Sequence, residues 1–215
     1  MVLGQTVSIW SFANAAEVAL LVNGVAVEGG KVPMPKYGHV EWSVPFAKGS
    51  YTVFGYDEAG NTVGNKTVAT AGAPAALKAT VVNQGTAAVP VGMSVYAGCN
   101  DFALVQVEVV DANGLVCPDP DNGQSNPITF ATSGSPTAWV EGTGNGDPAG
   151  LVNNKSPMHP AYHGLALAVI GAGNATGSIA VTATSPGLAA ATVDIPVKAV
   201  DATVSAKWCW QGAKW

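Results

Sequence analysis

The chain has 215 residues, a formal net charge of −5 and only 11% charged residues, well below the usual share of about a quarter. Its nine basic residues are all lysines and form no basic stripe, which excludes a typical nucleic-acid-binding surface. No stretch approaches the roughly 18 apolar residues that would indicate a transmembrane helix.

A surface with so few charges must be covered largely by small or uncharged polar residues. This composition is typical of β proteins outside the cytoplasm, so we expect an extracellular or periplasmic location. The first five residues lack the charged and apolar regions of a signal peptide. Either the protein is not exported by itself or Met1 is not its natural start, and we expect the second.

The first 70 residues carry alternating and β-branched runs that predict short strands. Asn23-Gly24 lies between two apolar runs, which is a strong hairpin signal because both residues accept a positive φ. We predict a small β-sandwich over residues 1–70. The predicted strands are 6–10, 18–22, 39–44, 51–56 and 63–70.

Residues 71–75, Ala-Gly-Ala-Pro-Ala, predict a short linker, and a second β-sandwich is predicted over 76–199. The fold class expected from this spacing is all-β, with two consecutive Ig-like antiparallel β-sandwich domains. Residues 200–215 are either a Trp-rich tail or the start of a truncated further domain. The predicted strands of the second unit are 76–82, 103–110, 128–132, 164–170, 178–185 and 190–197.

Three cysteines, Cys99, Cys117 and Cys209, form an odd set without a CxxC motif. A Cys99–Cys117 disulfide is compatible with export, and free or partly buried thiols are equally compatible with the sequence. The spacing excludes a zinc ribbon, and we expect no metal or other cofactor.

The first unit resembles the small β domain that follows the catalytic barrel in family 2 glycoside hydrolases of the β-galactosidase kind. The resemblance rests on Val-Ser-Ile-Trp at 7–10, on residues 17–24 with their closing Asn-Gly, and on 39–46 and 49–57.

The second unit is similar to the bacterial Ig-like C-terminal domain of the same enzymes. Its best segments are 102–114, 164–170 and 181–188, together with a loop that the resemblance marks as a fold signature. The residues of this fold-signature loop are Gly144, Asn145, Gly146, Asp147 and Pro148.

The resemblance implies a non-catalytic accessory region whose partner is the catalytic barrel of the same parent chain. Such a barrel alone needs about 250 residues, more than this chain contains, so no catalytic residue is carried over. Two alternatives remain open, namely a carbohydrate-binding module and a free-standing Ig-like adhesive or scaffold protein.

Among individual residues, Glu41 and Glu108 alternate with apolar neighbours, so we expect outward-facing strand carboxylates rather than a catalytic pair. Residues 119–125 contain Asp-x-Asp and could hold calcium, but an Asx-rich turn fits their spacing better. His159 and His163 are interpreted as surface or loop residues, because Pro157 and Pro160 exclude a helical metal pair.

Carbohydrate is the other expected partner, because exposed aromatic faces can stack on sugar rings. Trp42 lies in an alternating strand and is predicted to be buried. Among Trp10, Trp42 and Trp139, we expect Trp139 to be the most exposed, and it is the predicted carbohydrate contact.

Overall fold

The computed structural model describes residues 2–82, 95–98, 101–118 and 125–199. The chain divides into two compact units, Met1–Thr70 and Ala71–Trp215. Every regular element of the described residues is a β-strand, which confirms the all-β prediction and is consistent with Ig-like sandwich domains. Within these ranges no helix is long and apolar enough to cross a membrane.

The first unit contains seven strands in two antiparallel sheets. A small sheet pairs β1 with β5, and a larger sheet has the order β3-β2-β6-β7, with β4 also paired to β2. The strands are β1 (Thr6–Ser11), β2 (Glu17–Val22), β3 (Val25–Ala26), β4 (Val32–Pro33), β5 (Val40–Pro45), β6 (Ser50–Tyr56) and β7 (Thr62–Ala69).

The core of the first unit lies between these two sheets. Strand β5 alternates strictly between buried and exposed residues, so one face enters the core and the other faces solvent. Trp42 is only 6% exposed, which confirms its predicted role in packing. The buried side chains of this core are Val18, Leu20, Val40, Trp42, Val44 and Tyr51.

The predicted Asn-Gly hairpin joins β2 to β3. Asn23 and Gly24 have φ values of 53° and 81°, the left-handed conformation that such a turn requires. The Asn23 side chain also accepts a hydrogen bond from Ser50 N (2.8 Å) and donates one to Lys48 O (3.0 Å). A Cβ at Gly49 would lie 1.8 Å from Asn23 Oδ1, so the close approach of the two turns requires glycine at that position.

The described residues of the second unit form two larger sheets. One has the order β12-β14-β10-β8 and the other β13-β11-β15-β16-β9, antiparallel except for the β9–β16 pair. The strands are β8 (Ala76–Val81), β9 (Val95–Tyr96), β10 (Phe102–Val110), β11 (Pro127–Ser135), β12 (Ala138–Gly144), β13 (Met158–Pro160), β14 (Leu165–Ala172), β15 (Gly177–Thr184) and β16 (Ala191–Lys198).

Small aliphatic side chains fill the space between the sheets of the second unit. Val105 and Val107 point inward from β10 and Ile170 from β14, and all three are fully buried. Ile179 and Val181 of β15 enter the same core from the facing sheet. Because alternate residues of each strand point inward, this interleaving is the packing expected of a sandwich.

Five of these strands, β3, β4, β9, β12 and β13, were not predicted from sequence. Four of them have only two or three residues, too few for a period-2 pattern to be visible. Strand β12 contains Gly142 and Gly144, which favoured a tight loop. It pairs with β14 across a register shift between Val140 and Gly142, so tertiary pairing overrides the local preference of glycine.

The segment 71–75 is hydrogen-bonded to the second unit. The carboxylate of Asp111 accepts hydrogen bonds from the backbone N–H of Gly72 (2.7 Å), Leu115 (2.9 Å) and Asn113 (2.8 Å). These backbone donors hold the pKa of Asp111 below its ordinary value, and the hydrogen bond from Gly72 contributes most.

Cys117 lies beside the same segment as a buried free thiol, 3.5 Å from Gly72 O. Burial, and then the negative charge of Asp111, raise the pKa of this thiol. Cys99, Cys209 and the Trp-rich segment 200–215 lie outside the described residues.

We expect Ile170→Ala to destabilise the second unit by about 2–5 kcal/mol, because it leaves a cavity in a fully packed core. The matched control is Leu151→Ala, since the side chain of Leu151 is 98% exposed and its loss should change stability by less than about 0.5 kcal/mol. Urea unfolding of both variants measures the difference. Equal midpoints would contradict the assigned core.

Candidate functional site

Neither strand carboxylate that was considered for catalysis has the properties of a general acid. Glu41 is exposed on β5, directly opposite Trp10 of β1. Hydrogen-bonding interactions with Ser8 and then with Trp10 lower the pKa of Glu41, whereas a glycosidase acid needs a raised pKa. Glu108 belongs to the other unit and forms an ion pair with Lys78 at 2.8 Å. Both residues are therefore strand-surface carboxylates, as the sequence predicted.

Metal binding was considered at two places. The candidate calcium segment 119–125 lies outside the described residues, except for Ser125. Within the part of the chain that the structure describes, no three His, Cys, Asp or Glu side chains lie close enough together to hold a metal ion.

The interpretation of His159 as a surface residue is wrong, because the structure buries it in β13. Its Nδ1 lies 3.4 Å from the hydroxyl of Thr143, which donates its own hydrogen to Ser156 O (2.7 Å). Burial lowers the pKa of His159, and the attraction of Asp147 only partly opposes this. His163 is exposed in the turn before β14, with a φ of 49°.

The fold-signature loop follows β12 and is held by its own side chains. Asn145 donates a hydrogen bond from Nδ2 to Pro160 O (2.9 Å), and its Oδ1 accepts one from Asp147 N (2.9 Å). The carboxylate of Asp147 in turn accepts Ala149 N (2.9 Å). Gly146 has a φ of 80°, and Gly144 is the last residue of β12. The polar groups of the loop, which ends at Pro148, thus connect β12 to β13.

Trp139 lies on β12 with 44% of its surface exposed. Its ring packs across the neighbouring strand, since a Cβ at Gly171 would lie 2.5 Å from its Cε2. The indole N–H donates to Glu141 (2.8 Å), whose other carboxylate oxygen pairs with Lys155. The hydrogen bond from Lys155 lowers the pKa of Glu141 the most, and the one from Trp139 lowers it further. These contacts hold the half-exposed ring of Trp139 in one orientation beside the Glu141–Lys155 ion pair.

Trp10, not Trp139, is the most exposed of the three tryptophans considered, at 57% of its surface. It stacks on His39 with ring centroids 4.3 Å apart, and the ring centroid of Phe12 lies 5.2 Å from that of His39. Together with Glu41 and Ser8, these residues form the solvent-facing side of the β1–β5 sheet, which we call the outer strip. The residues of the outer strip are Ser8, Trp10, Phe12, His39, Glu41 and Ser43.

The outer strip has a partial signal in the sequence, the two-residue alternation of its strands. Positions 8, 10 and 12 alternate with positions that face the core, and so do 39, 41 and 43. What joins these two sets is the β1–β5 register, in which Trp10 opposes Glu41 and Ser8 opposes Ser43. The sequence pattern of either strand alone does not predict that register.

An open groove of about 240 Å³ begins at Phe12, at the end of the outer strip. Asn14 lines it from the β1–β2 connection, and Asn65 and Lys66 line it from β7. Polar residues of the β1–β2 connection and of β7 therefore line the groove next to an aromatic ring.

We expect the second unit to lose stability as the pH falls below about 6.5, the ordinary histidine value. The unfolded chain then takes up a proton that buried His159 resists, and this favours the unfolded state. Thermal unfolding between pH 8 and pH 5 should show a steeper loss for the wild type than for His159→Asn. Parallel pH curves for the two proteins would show that His159 is not responsible.

Two family models match the chain. Residues 88–194 match glycoside hydrolase family 2 C-terminal domain 5, and residues 4–64 match a domain of unknown function, DUF4982. The matches fall on the second and the first unit respectively.

Proteins similar to this chain are family 2 enzymes of much greater length. The β-galactosidase BoGH2A of Bacteroides ovatus is 34% identical over 193 residues, covering 89% of this chain and 21% of that protein. A β-glucuronidase of Formosa agariphila is 33% identical over 146 residues, covering 67% of this chain and 14% of that protein. The crystal structure of a family 2 glycosyl hydrolase from Bacteroides cellulosilyticus superposes with a TM-score of 0.77 at 25% identity. The match covers 91% of this chain and 23% of that protein. The chain spans about a fifth or less of the length of these curated relatives, and it corresponds to the C-terminal accessory region of family 2 glycoside hydrolases.

Proposed function

We propose that the two units are the non-catalytic accessory region of a longer β-galactosidase-like enzyme, whose reaction takes place on a catalytic barrel of the same protein. The observation that carries this proposal is the coverage, since 89% of the chain aligns with only 21% of a β-galactosidase. A retaining glycosidase needs two carboxyl groups about 5–5.5 Å apart. Glu41 has a lowered pKa and Glu108 is ion-paired with Lys78, so neither is suited to act as the acid of such a pair.

The first unit offers surfaces that suit packing beside such a barrel. Every residue of β7 is exposed, so this edge strand is covered on neither face within the described residues. It carries Val63 and Val68, both more than half exposed. Exposed apolar side chains on a sheet edge favour association with another protein surface. In the parent enzyme, we assign the end of β7 at Val68 to the barrel, which leaves the groove lined by Val63, Asn65 and Lys66 open.

We place the parent enzyme outside the cytoplasm, in carbohydrate metabolism at the cell surface or in the periplasm. The low charge content of 11% supports this location. A β-galactoside is the first substrate to test, because a β-galactosidase is among the similar proteins, and a β-glucuronide is the second, because a β-glucuronidase is another.

Carbohydrate contact by Trp139 is a second candidate function. The supporting observation is its half-exposed ring, which Gly171 and Glu141 hold in one orientation. A fixed ring loses little conformational entropy when a sugar stacks on it.

The native gene product should be several times heavier than the 21.6 kDa of this chain. An antibody against the chain, used on extracts of the source cells, measures that mass. The purified heavy product should hydrolyse a chromogenic β-galactoside, whereas the 215-residue chain alone should not. A native product of 21.6 kDa would contradict the accessory function and would indicate a free-standing protein.

A further inference from the structure

We propose that the outer strip of the first unit is a binding site for a neutral glycan chain, with sugar rings stacked on Trp10 and Phe12. The proposal concerns a different unit from Trp139, and it does not depend on an attached barrel. Its evidence lies in the exposure, the fixed orientation and the hydrogen-bonding groups of the strip.

The exposure of the aromatic residues differs sharply between the two faces of one small sheet. Trp42 of β5 points into the core and is almost completely buried, whereas Trp10 of β1 is 57% and Phe12 70% exposed. Scattered exposed apolar residues are normal on protein surfaces, but contiguous aromatic rings mark interaction sites. Trp10 and Phe12 are contiguous, because the ring of His39 contacts both of them.

The rings of the outer strip are held in place before any ligand arrives. His39 stacks on Trp10 with an angle of 25° between the ring planes. The indole of Trp10 also interacts with the carboxylate of Glu41 on the paired strand, where the register places them opposite each other. Because these side chains are already ordered, binding costs less conformational entropy than it would at a flexible surface.

The polar groups of the strip match the hydroxyl groups of a sugar. Glu41 offers acceptor oxygens, and Ser8 and Ser43 offer exposed hydroxyls one row further along the sheet. Beyond Phe12, the groove is lined by the polar residues Asn14, Asn65 and Lys66. A concave surface with aromatic rings and a few convergent polar groups is the usual form of a small-ligand site.

The charges of the site favour a neutral ligand. The carboxylate of Glu41 lies among the aromatic rings, and the ammonium of Lys66 lies in the adjoining groove. These opposite charges leave the surface without the excess of cations that recognition of an anionic polymer requires. We therefore assign the site to neutral sugars rather than to uronates.

The test is native affinity electrophoresis of the 215-residue chain in gels that contain one polysaccharide each. The neutral polymers are β-1,4-galactan, galactomannan and a β-glucan, and the anionic polymer is polygalacturonate. We expect retardation by at least one neutral polymer and weaker retardation by polygalacturonate. Trp10→Ala and Phe12→Ala should each weaken binding at least about tenfold, since truncating an aromatic anchor removes most of its contact area. Glu41→Gln should weaken it less, because an amide keeps one acceptor oxygen.

Tyr37→Ala is the matched control, because it removes another strongly exposed aromatic ring outside the strip. It should bind like the wild type. Trp139→Ala tests the second candidate function separately, because this half-exposed ring belongs to the other unit. Thermal unfolding of all variants checks their folding, and Phe12 lies outside the regular strand, so its loss should leave β1 intact.

Four results would overturn the proposal. The first is the absence of retardation by all three neutral polymers, and the second is equal or stronger binding of polygalacturonate. The third is loss of binding in Trp139→Ala with full binding in Trp10→Ala, which would move the site to the second unit. The fourth is self-association that Trp10→Ala abolishes, measured by sedimentation velocity, which would make the strip a protein contact. None of these outcomes depends on the mass of the native product, so the accessory function is tested separately.

Discussion

The structure depends above all on the two-residue alternation of its strands, which gives every sheet one face for the core and one for the surface. In β10 and β14 the inward positions are filled by small aliphatic residues such as Val107 and Ile170, and these meet Ile179 and Val181 from the facing sheet. The same geometry fixes what the outer face carries, since a register shift of one residue would exchange the two sets. Any surface site on these strands is therefore as well defined as the core beneath it.

This coupling is clearest in the small sheet of the first unit. Burial of Trp42 on β5 determines that its neighbour Glu41 faces outward, and antiparallel pairing then places Trp10 opposite Glu41. A flexible loop would present an aromatic ring and a carboxylate in many relative positions. A sheet presents them in one, which is the property that a stacking surface for a rigid sugar ring needs.

The polar residues of the second unit are used mainly to hold backbone segments together. Asp111 receives three backbone N–H groups, one of them from Gly72 of the segment 71–75. Asn145 connects the end of β12 to Pro160 of β13. Side chains that satisfy buried or partly buried backbone groups are costly to replace. The carboxylate of Asp111 and the amide of Asn145 thus have a structural role in this unit.

The sequence by itself determined the all-β class, the long strands other than β12, the Asn23-Gly24 hairpin, the burial of Trp42 and the likeness to family 2 accessory domains, because each of these has a local pattern. Only the tertiary structure decided the positions of His159 and Trp10. His159 lies in a three-residue strand whose burial comes from pairing with β11, and its neighbouring prolines wrongly indicated a surface loop. Trp10 and Glu41 are 31 positions apart and meet only through the register of β1 with β5. Long-range pairing of this kind depends on how whole faces pack, and no short segment of the sequence encodes it.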